Sequence, residues 1–205
     1  LPAVYWLFRI GKDYRNYKFL IYAIPLMVLG GTGSTLFHAF RASRFFLLMD
    51  FMPQAILTIS LTVYFWIKVF RKWWYIFFII MLSVGLRYLI FSVFELSPFM
   101  SINVSYTITG VLVGLPVLIL LKRTRYYRLR DVVLTIVFFI TAIVFREMDA
   151  RDIPFLPMGT HFLWHAFTGF GGFFILSYLY HFRSFELDQS SSRPEKQSDY
   201  VRPVN

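Results

Sequence analysis

Gly30-Gly31-Thr32-Gly33-Ser34-Thr35-Leu36-Phe37-His38, followed twelve residues later by Asp50, lies inside a long apolar run. A serine and a histidine four residues apart share one face of a helix. Ionisable side chains within an apolar segment of membrane length are costly and mark functional sites. Two further histidines, His161 and His165, are also four apart, near the other end of the chain. The remaining sequence reads as a scaffold for these two stretches.

Composition agrees with a membrane scaffold. The 205 residues are 58% hydrophobic, 21% aromatic and only 16% charged, with a mean hydropathy of +0.60. Soluble domains are roughly 45–50% apolar. The formal net charge of +10 raises a nucleic-acid reading, which the placement of the charges argues against. The basic residues lie in short segments beside apolar runs, as in cytoplasmic loops under the positive-inside rule. There is no cysteine, which excludes disulfides and thiolate metal sites.

The apolar runs predict an all-α fold, a seven-transmembrane helix bundle. Leu1–Ile10 reads as the tail of a first helix truncated at its start. It lacks the basic region and cleavage site of a signal peptide. Further spans are expected at about Phe19–Phe40, Phe45–Phe70, Trp73–Phe94, Phe99–Leu121, Val132–Phe145 and Thr160–Tyr180. Apart from the short sixth, each is near the roughly 20 residues a crossing helix needs. Residues 1–184 form one membrane domain. Residues 185–205, rich in Ser, Gln, Pro and mixed charge, are expected to be a disordered cytoplasmic tail. The loops after spans one, three and five are the most basic, which puts the N-terminus outside and the C-terminus inside. The short Arg41–Arg44 turn is positive on the outer side and runs against that rule.

With this orientation, His38 lies near the outer end of span two. Asp50 lies just inside the start of span three, and His161 and His165 in the first two turns of span seven. At about 1.5 Å per residue, all fall within roughly 10 Å of one membrane boundary. Three histidines are a full protein ligand set for a catalytic zinc, and an i,i+4 pair on one helix commonly supplies two of them. Asp50 could act as general base on a water, and Ser34 could hold that water or donate to an oxyanion. The plain alternatives are helix–helix hydrogen bonding for the histidines and helix packing for Ser34. His181 reads as an interfacial residue. Gly30, Gly31 and Gly33, with Gly169, Gly171 and Gly172, suit close helix packing rather than phosphate binding. Arg87, in mid-span, needs either a structural partner or a polar substrate group. Arg146 and Asp149 either pair with each other or nearby loops, or support the metal from behind its ligands.

Together, Ser34-x-x-x-His38, Asp50 and His161-x-x-x-His165 resemble the shared signature of the alkaline ceramidase, adiponectin/progestin receptor and GPI-remodelling superfamily of seven-helix membrane hydrolases. Gly31–His38 is similar to the second-helix motif of the ceramidase branch. Asp50-Phe51-Met52-Pro53 resembles its Asp-x-x-Pro. Gly159-Thr160-His161-Phe162-Leu163-Trp164-His165, and Phe145-Arg146 with Asp149 before it, resemble the stretches of bacterial members. The chain departs from animal ceramidases in carrying Phe51 where they often have an acidic residue, and in a His-to-Asp spacing one residue longer than in some members.

The resemblance implies a zinc-dependent amidase that cleaves ceramide to a sphingoid base and a fatty acid. His38, His161 and His165 would be the ligands, with Asp50 and Ser34 positioning and activating the water. Animal members also bind calcium through an acidic segment that would precede Leu1. The partners are the bilayer and an N-acyl lipid substrate. The expected location is a bacterial inner membrane, or the endoplasmic reticulum or Golgi in a eukaryote. The alternatives are a receptor-like member, a phospholipid or GPI-lipid esterase on the same scaffold, and a transporter or structural bundle.

Overall fold

The computed structural model describes residues 2–40, 43–149 and 159–192. Among these there is no strand. The elements are α1 (Pro2–Ile10), a 3-10 turn (Gly11–Asp13), α2 (Lys18–Phe40), α3 (Arg44–Phe70), α4 (Tyr75–Val93), α5 (Pro98–Arg123), α6 (Leu129–Asp149) and α7 (His161–Ser191). Where lipid offers no hydrogen bonds, the backbone must satisfy itself, and a helix does so within one segment. That constraint keeps α2, α3 and α5 helical through Pro25, Pro53 and Pro116. Ends follow ordinary cap chemistry. Ser43 Oγ accepts from the Phe45 N–H at the start of α3, and Ser97 Oγ accepts from the Met100 N–H at the start of α5. Arg71, with φ +59°, closes α3 in the left-handed region.

Five helices, α2, α3, α4, α5 and α7, are long and apolar enough to cross a membrane. The chain is thus a multi-pass membrane protein by length and composition. The other two expected spans fall short for physical reasons. α1 has nine residues. α6 carries Arg130 and Asp131 at one end and Arg146, Glu147 and Asp149 at the other, which leaves an apolar centre of only about 21 Å at the usual helical rise. The remaining helix bounds differ from expectation by a few residues, except at the end of α7. That helix runs on to Ser191, into the segment read as tail. Arg183 and Glu186 pair one turn apart at 3.2 Å, and Phe185 and Leu187 extend the apolar content. The rest of the expected tail, Arg41 of the α2–α3 turn, and the loop with Arg151, Asp152, Pro154 and Pro157 lie outside the described residues.

The chain divides into two compact units, Leu1–Val133 and Leu134–Asn205. In the first, α2 packs along α3, α1 packs on α2, and α5 packs on α3 and α4. Phe19 meets Tyr64 at 4.7 Å between ring centroids, and the Tyr22 and Ser60 hydroxyls hydrogen-bond at 3.0 Å. The Trp66 indole donates to the Leu112 carbonyl of α5 at 2.9 Å. Every residue of α4 retains some exposure and none is buried, as suits a helix apolar all round and faced by lipid. In the second unit, α6 and α7 join through aromatic rings. Phe138 lies against Phe167, Phe170 and Phe174, and the Phe139 ring seats on Gly171.

Candidate metal centre

The first unit carries Ser34, His38 and Asp50. Three glycines within four residues should weaken α2, since each costs about 1 kcal/mol relative to alanine. Two of them have a packing reason. A Cβ on Gly33 would collide with the backbone of Met49 and Asp50, and one on Gly30 would press on the Gln54 side chain at 3.2 Å. Small residues three apart thus let α2 lie directly on the backbone of α3 at the peptide that carries Asp50. Gly31 faces open space. The packing expectation therefore holds for Gly30, Gly33 and Gly171; at Gly31, Gly169 and Gly172 a Cβ would meet nothing within 4 Å among the described residues.

Ser34 follows the contact glycine and is half-buried. His38 stands one turn further on α2, its ring edge-on to Phe37. The half-buried Asp50 accepts from Gln54 Nε2, one turn on, at 3.3 Å. Neighbouring hydroxyls are absorbed locally. Thr35 donates to the Gly31 carbonyl at 2.8 Å and Thr58 to the Gln54 carbonyl at 2.8 Å. A carboxylate cannot donate back to its own helix in this way.

The second unit carries His161 and His165, held by a relay that begins on α6. Asp149 Oδ1 accepts the backbone N–H groups of Thr160 (2.9 Å) and His161 (3.0 Å). These are donors that the first turn of α7 cannot satisfy itself, and a carboxylate there also suits the helix dipole. Asp149 Oδ2 lies 3.1 Å from His161 Nδ1. A carboxylate accepts, and the tautomer that donates from Nδ1 to Asp149 leaves His161 Nε2 as the nitrogen able to take a metal. That nitrogen lies 3.1 Å from His165 Nε2. The turn before α7 is fixed by Gly159 at φ +71° and by the Thr160 hydroxyl, which donates to the Phe145 carbonyl at 2.6 Å. A Cβ on Gly159 would collide with Asp149 Oδ1.

Two tetrahedral zinc ligands with bonds of about 2.0–2.1 Å have nitrogens about 3.3 Å apart. The His161–His165 spacing fits that bite. A carboxylate behind a ligating imidazole is also the usual way to fix its tautomer. The donor set therefore suits a borderline divalent ion such as zinc.

Of the residues considered as supports, Asp149 touches His161 directly. The Arg146 guanidinium lies 5.8 Å from the Trp164 ring centroid and 3.5 Å from Glu147. Arg87 turns to α5, donating through Nη2 to Thr109 Oγ1 (2.7 Å) and to the Ser105 carbonyl (3.2 Å). The His181 ring lies edge-on to Tyr180. Sequence reasoning missed the capping role of Asp149 and the left-handed Gly159. A glycine and threonine just before the histidine pair were the available signal.

No protein-family model, no curated protein and no solved structure matches the chain.

Proposed function

We propose that the chain is a zinc-dependent intramembrane amidase that cleaves ceramide, or a closely related N-acyl lipid, to a long-chain amine and a fatty acid. The observation that carries this is the Asp149–His161–His165 relay. It presents two imidazole nitrogens at the spacing of zinc ligands, one of them on a ring whose other nitrogen lies against a carboxylate. Its two histidines and the residues before them are also the stretch that resembles bacterial ceramidases. In this proposal His38 completes the ligand set, α1 and α6 belong to a seven-helix crossing pattern, and the N-terminus lies outside.

Zinc held there would polarise the amide carbonyl and lower the pKa of water. The protein supplies the rest. Asp50 takes a proton from the water as its oxygen bonds to the acyl carbon. Ser34 donates a hydrogen bond to the oxyanion that develops on the carbonyl. As the C–N bond breaks, Asp50 returns the proton to the departing nitrogen, which leaves as the amine, and the acyl carbon becomes a carboxylic acid.

The substrate suits the placement. His38 is two residues from the end of α2, Asp50 is six into α3, and His161 opens α7. Each lies within about 10 Å of its helix end, the depth at which a two-chain lipid carries its amide.

The test combines metal analysis with turnover of ceramide and of an ester analogue of equal chain length, using purified full chain. Stoichiometric zinc and fatty-acid release from the amide are expected. His165→Ala should lose both metal and turnover, and Asp50→Ala turnover alone. Full turnover in either variant, or in zinc-free protein, overturns the proposal. Preference for the ester moves the chain to lipid esterases.

A further inference from the structure

We infer that one end of the first unit is a docking surface for the phosphate headgroups of anionic phospholipids, built around the connections that follow α3 and α5. Arg123 Nη1 donates to the Val69 carbonyl at 2.7 Å. That bond ties the last turn of α5 to the last turn of α3. It therefore brings two basic segments, Lys68-Val69-Phe70-Arg71-Lys72-Trp73-Trp74 and Lys122-Arg123-Thr124-Arg125-Tyr126-Tyr127-Arg128-Leu129-Arg130, to the same end of the unit. Neither contains an acidic residue. The next acid, Asp131, is buried and already bound to Arg128 Nε at 2.8 Å. It does not neutralise the surface. Arg71, Lys72, Lys122, Arg125 and Arg130 stand exposed.

The turn after α5 has an unusual backbone. Arg125, Tyr126 and Arg128 have φ of +53°, +62° and +60°. For residues other than glycine, each such conformation costs about 1–2 kcal/mol. Strain of this kind persists where surrounding bonds enforce it. Here the Tyr126 N–H donates to the Leu121 carbonyl at 2.8 Å and the Leu129 N–H to the Tyr126 carbonyl at 3.1 Å. The result is a hook that presents Arg125 beside the exposed Tyr126 and Tyr127, with the exposed Trp73 and Trp74 in the neighbouring connection.

Aromatic rings interleaved with cations at the ends of spanning helices are placed at headgroup level. α3, α4 and α5 are three of the five helices apolar enough to cross, so the rings and cations cluster where a bilayer surface would lie. That level, rather than charge alone, selects a lipid phosphate over a nucleic acid. The inference is independent of the proposed amidase chemistry.

The experiment titrates the full chain, in neutral detergent, with phosphatidylglycerol or with phosphatidylcholine of equal chain length, and counts retained lipids by native mass spectrometry. Retention of phosphatidylglycerol alone is expected. Each basic residue near an anionic surface contributes about a fivefold factor, so Arg125→Gln with Arg130→Gln should weaken retention by about 25-fold. Arg44→Gln, at the opposite end of α3, should leave it unchanged. If the first pair does not fold, Lys72→Gln with Lys122→Gln reads the same prediction. Equal retention of the two lipids, or an equal loss in Arg44→Gln, overturns the inference. So does a single-stranded oligonucleotide that binds more tightly than phosphatidylglycerol.

Discussion

The α2–α3 pair and the α6–α7 pair hold their polar residues by opposite means. Between α2 and α3 the device is the absence of side chains. Gly33 and Gly30 let one helix rest on the backbone of the other, and Asp50 is fixed because its own peptide is the point of contact. Its carboxylate accepts a 3.3 Å hydrogen bond from Gln54 on the same helix. Between α6 and α7 the device is a carboxylate that accepts three donors, two from backbone and one from an imidazole. Packing without side chains leaves the Asp50 carboxylate able to change its hydrogen bonding, which the proposed role as base requires. The relay holds the His161 ring in one orientation through Asp149, which is what the proposed ligand role requires. The first arrangement should break under added volume and the second under loss of charge.

The largest effect is expected from volume in the first pair. Gly33→Leu drives a side chain into the Met49–Asp50 backbone, which cannot yield as a flexible side chain could. Destabilisation above the usual overpacking range of about 1–3 kcal/mol is expected, seen as loss of folded protein or a large fall in Tm in detergent. Gly31→Leu, facing open space, should leave Tm unchanged or raise it. Equal effects at the two positions would show that the close approach is not what holds the pair.

Next comes loss of charge in the second pair. Asp149→Asn keeps an oxygen for the α7 N–H groups but loses the carboxylate behind His161. It should weaken zinc binding about 10- to 100-fold, by titration with competing chelator, with little change in Tm. Asp149→Ala should lose the cap as well, at a further cost of about 1 kcal/mol. Unchanged zinc affinity in Asp149→Asn would remove the relay from the metal proposal.

These two regions were not equally legible in the sequence. Apolar runs of membrane length identified helices over most of their extent. The four-residue spacings Ser34–His38 and His161–His165 identified shared faces, because one helical turn is a local property. The small residues near Asp50 advertised close packing, but sequence could not say which of Gly30, Gly31 and Gly33 face α3, since that depends on helix rotation. Asp149 was legible as a nearby acid and not as a cap, because its partners lie eleven and twelve residues further along the chain. The extension of α7 to Ser191 was hidden for a related reason. Ser, Gln and mixed charges lower apolar content without forbidding a helix, and i,i+3 pairs such as Arg183–Glu186 support one.

A smaller effect is expected at the turn that delivers the relay. Gly159 has φ +71°, which costs alanine about 1–2 kcal/mol, and the added methyl would displace Asp149 Oδ1. Gly159→Ala should lower Tm and zinc affinity together. Gly169→Ala, where nothing lies within reach of a Cβ, should be neutral or stabilising by up to about 1 kcal/mol. A fall in Tm with zinc affinity intact would separate the turn from the relay.

The smallest effect is expected at Arg87, a polar residue fixed by neither device. Its Nη2 has two acceptors on α5, while its buried Nε has no hydrogen-bond partner among the described residues. A half-satisfied cation among apolar helices gains little from staying. Its removal orphans nothing nearby, because the Thr109 hydroxyl keeps its own 2.7 Å bond to the Ser105 carbonyl. Arg87→Met should therefore change stability by less than about 1 kcal/mol, or raise it. A fall in Tm of the size expected for Asp149→Ala would mean that Arg87 balances a buried negative charge, a third way of fixing a polar side chain in this chain. A normal Tm with reduced turnover would instead assign the guanidinium to the substrate.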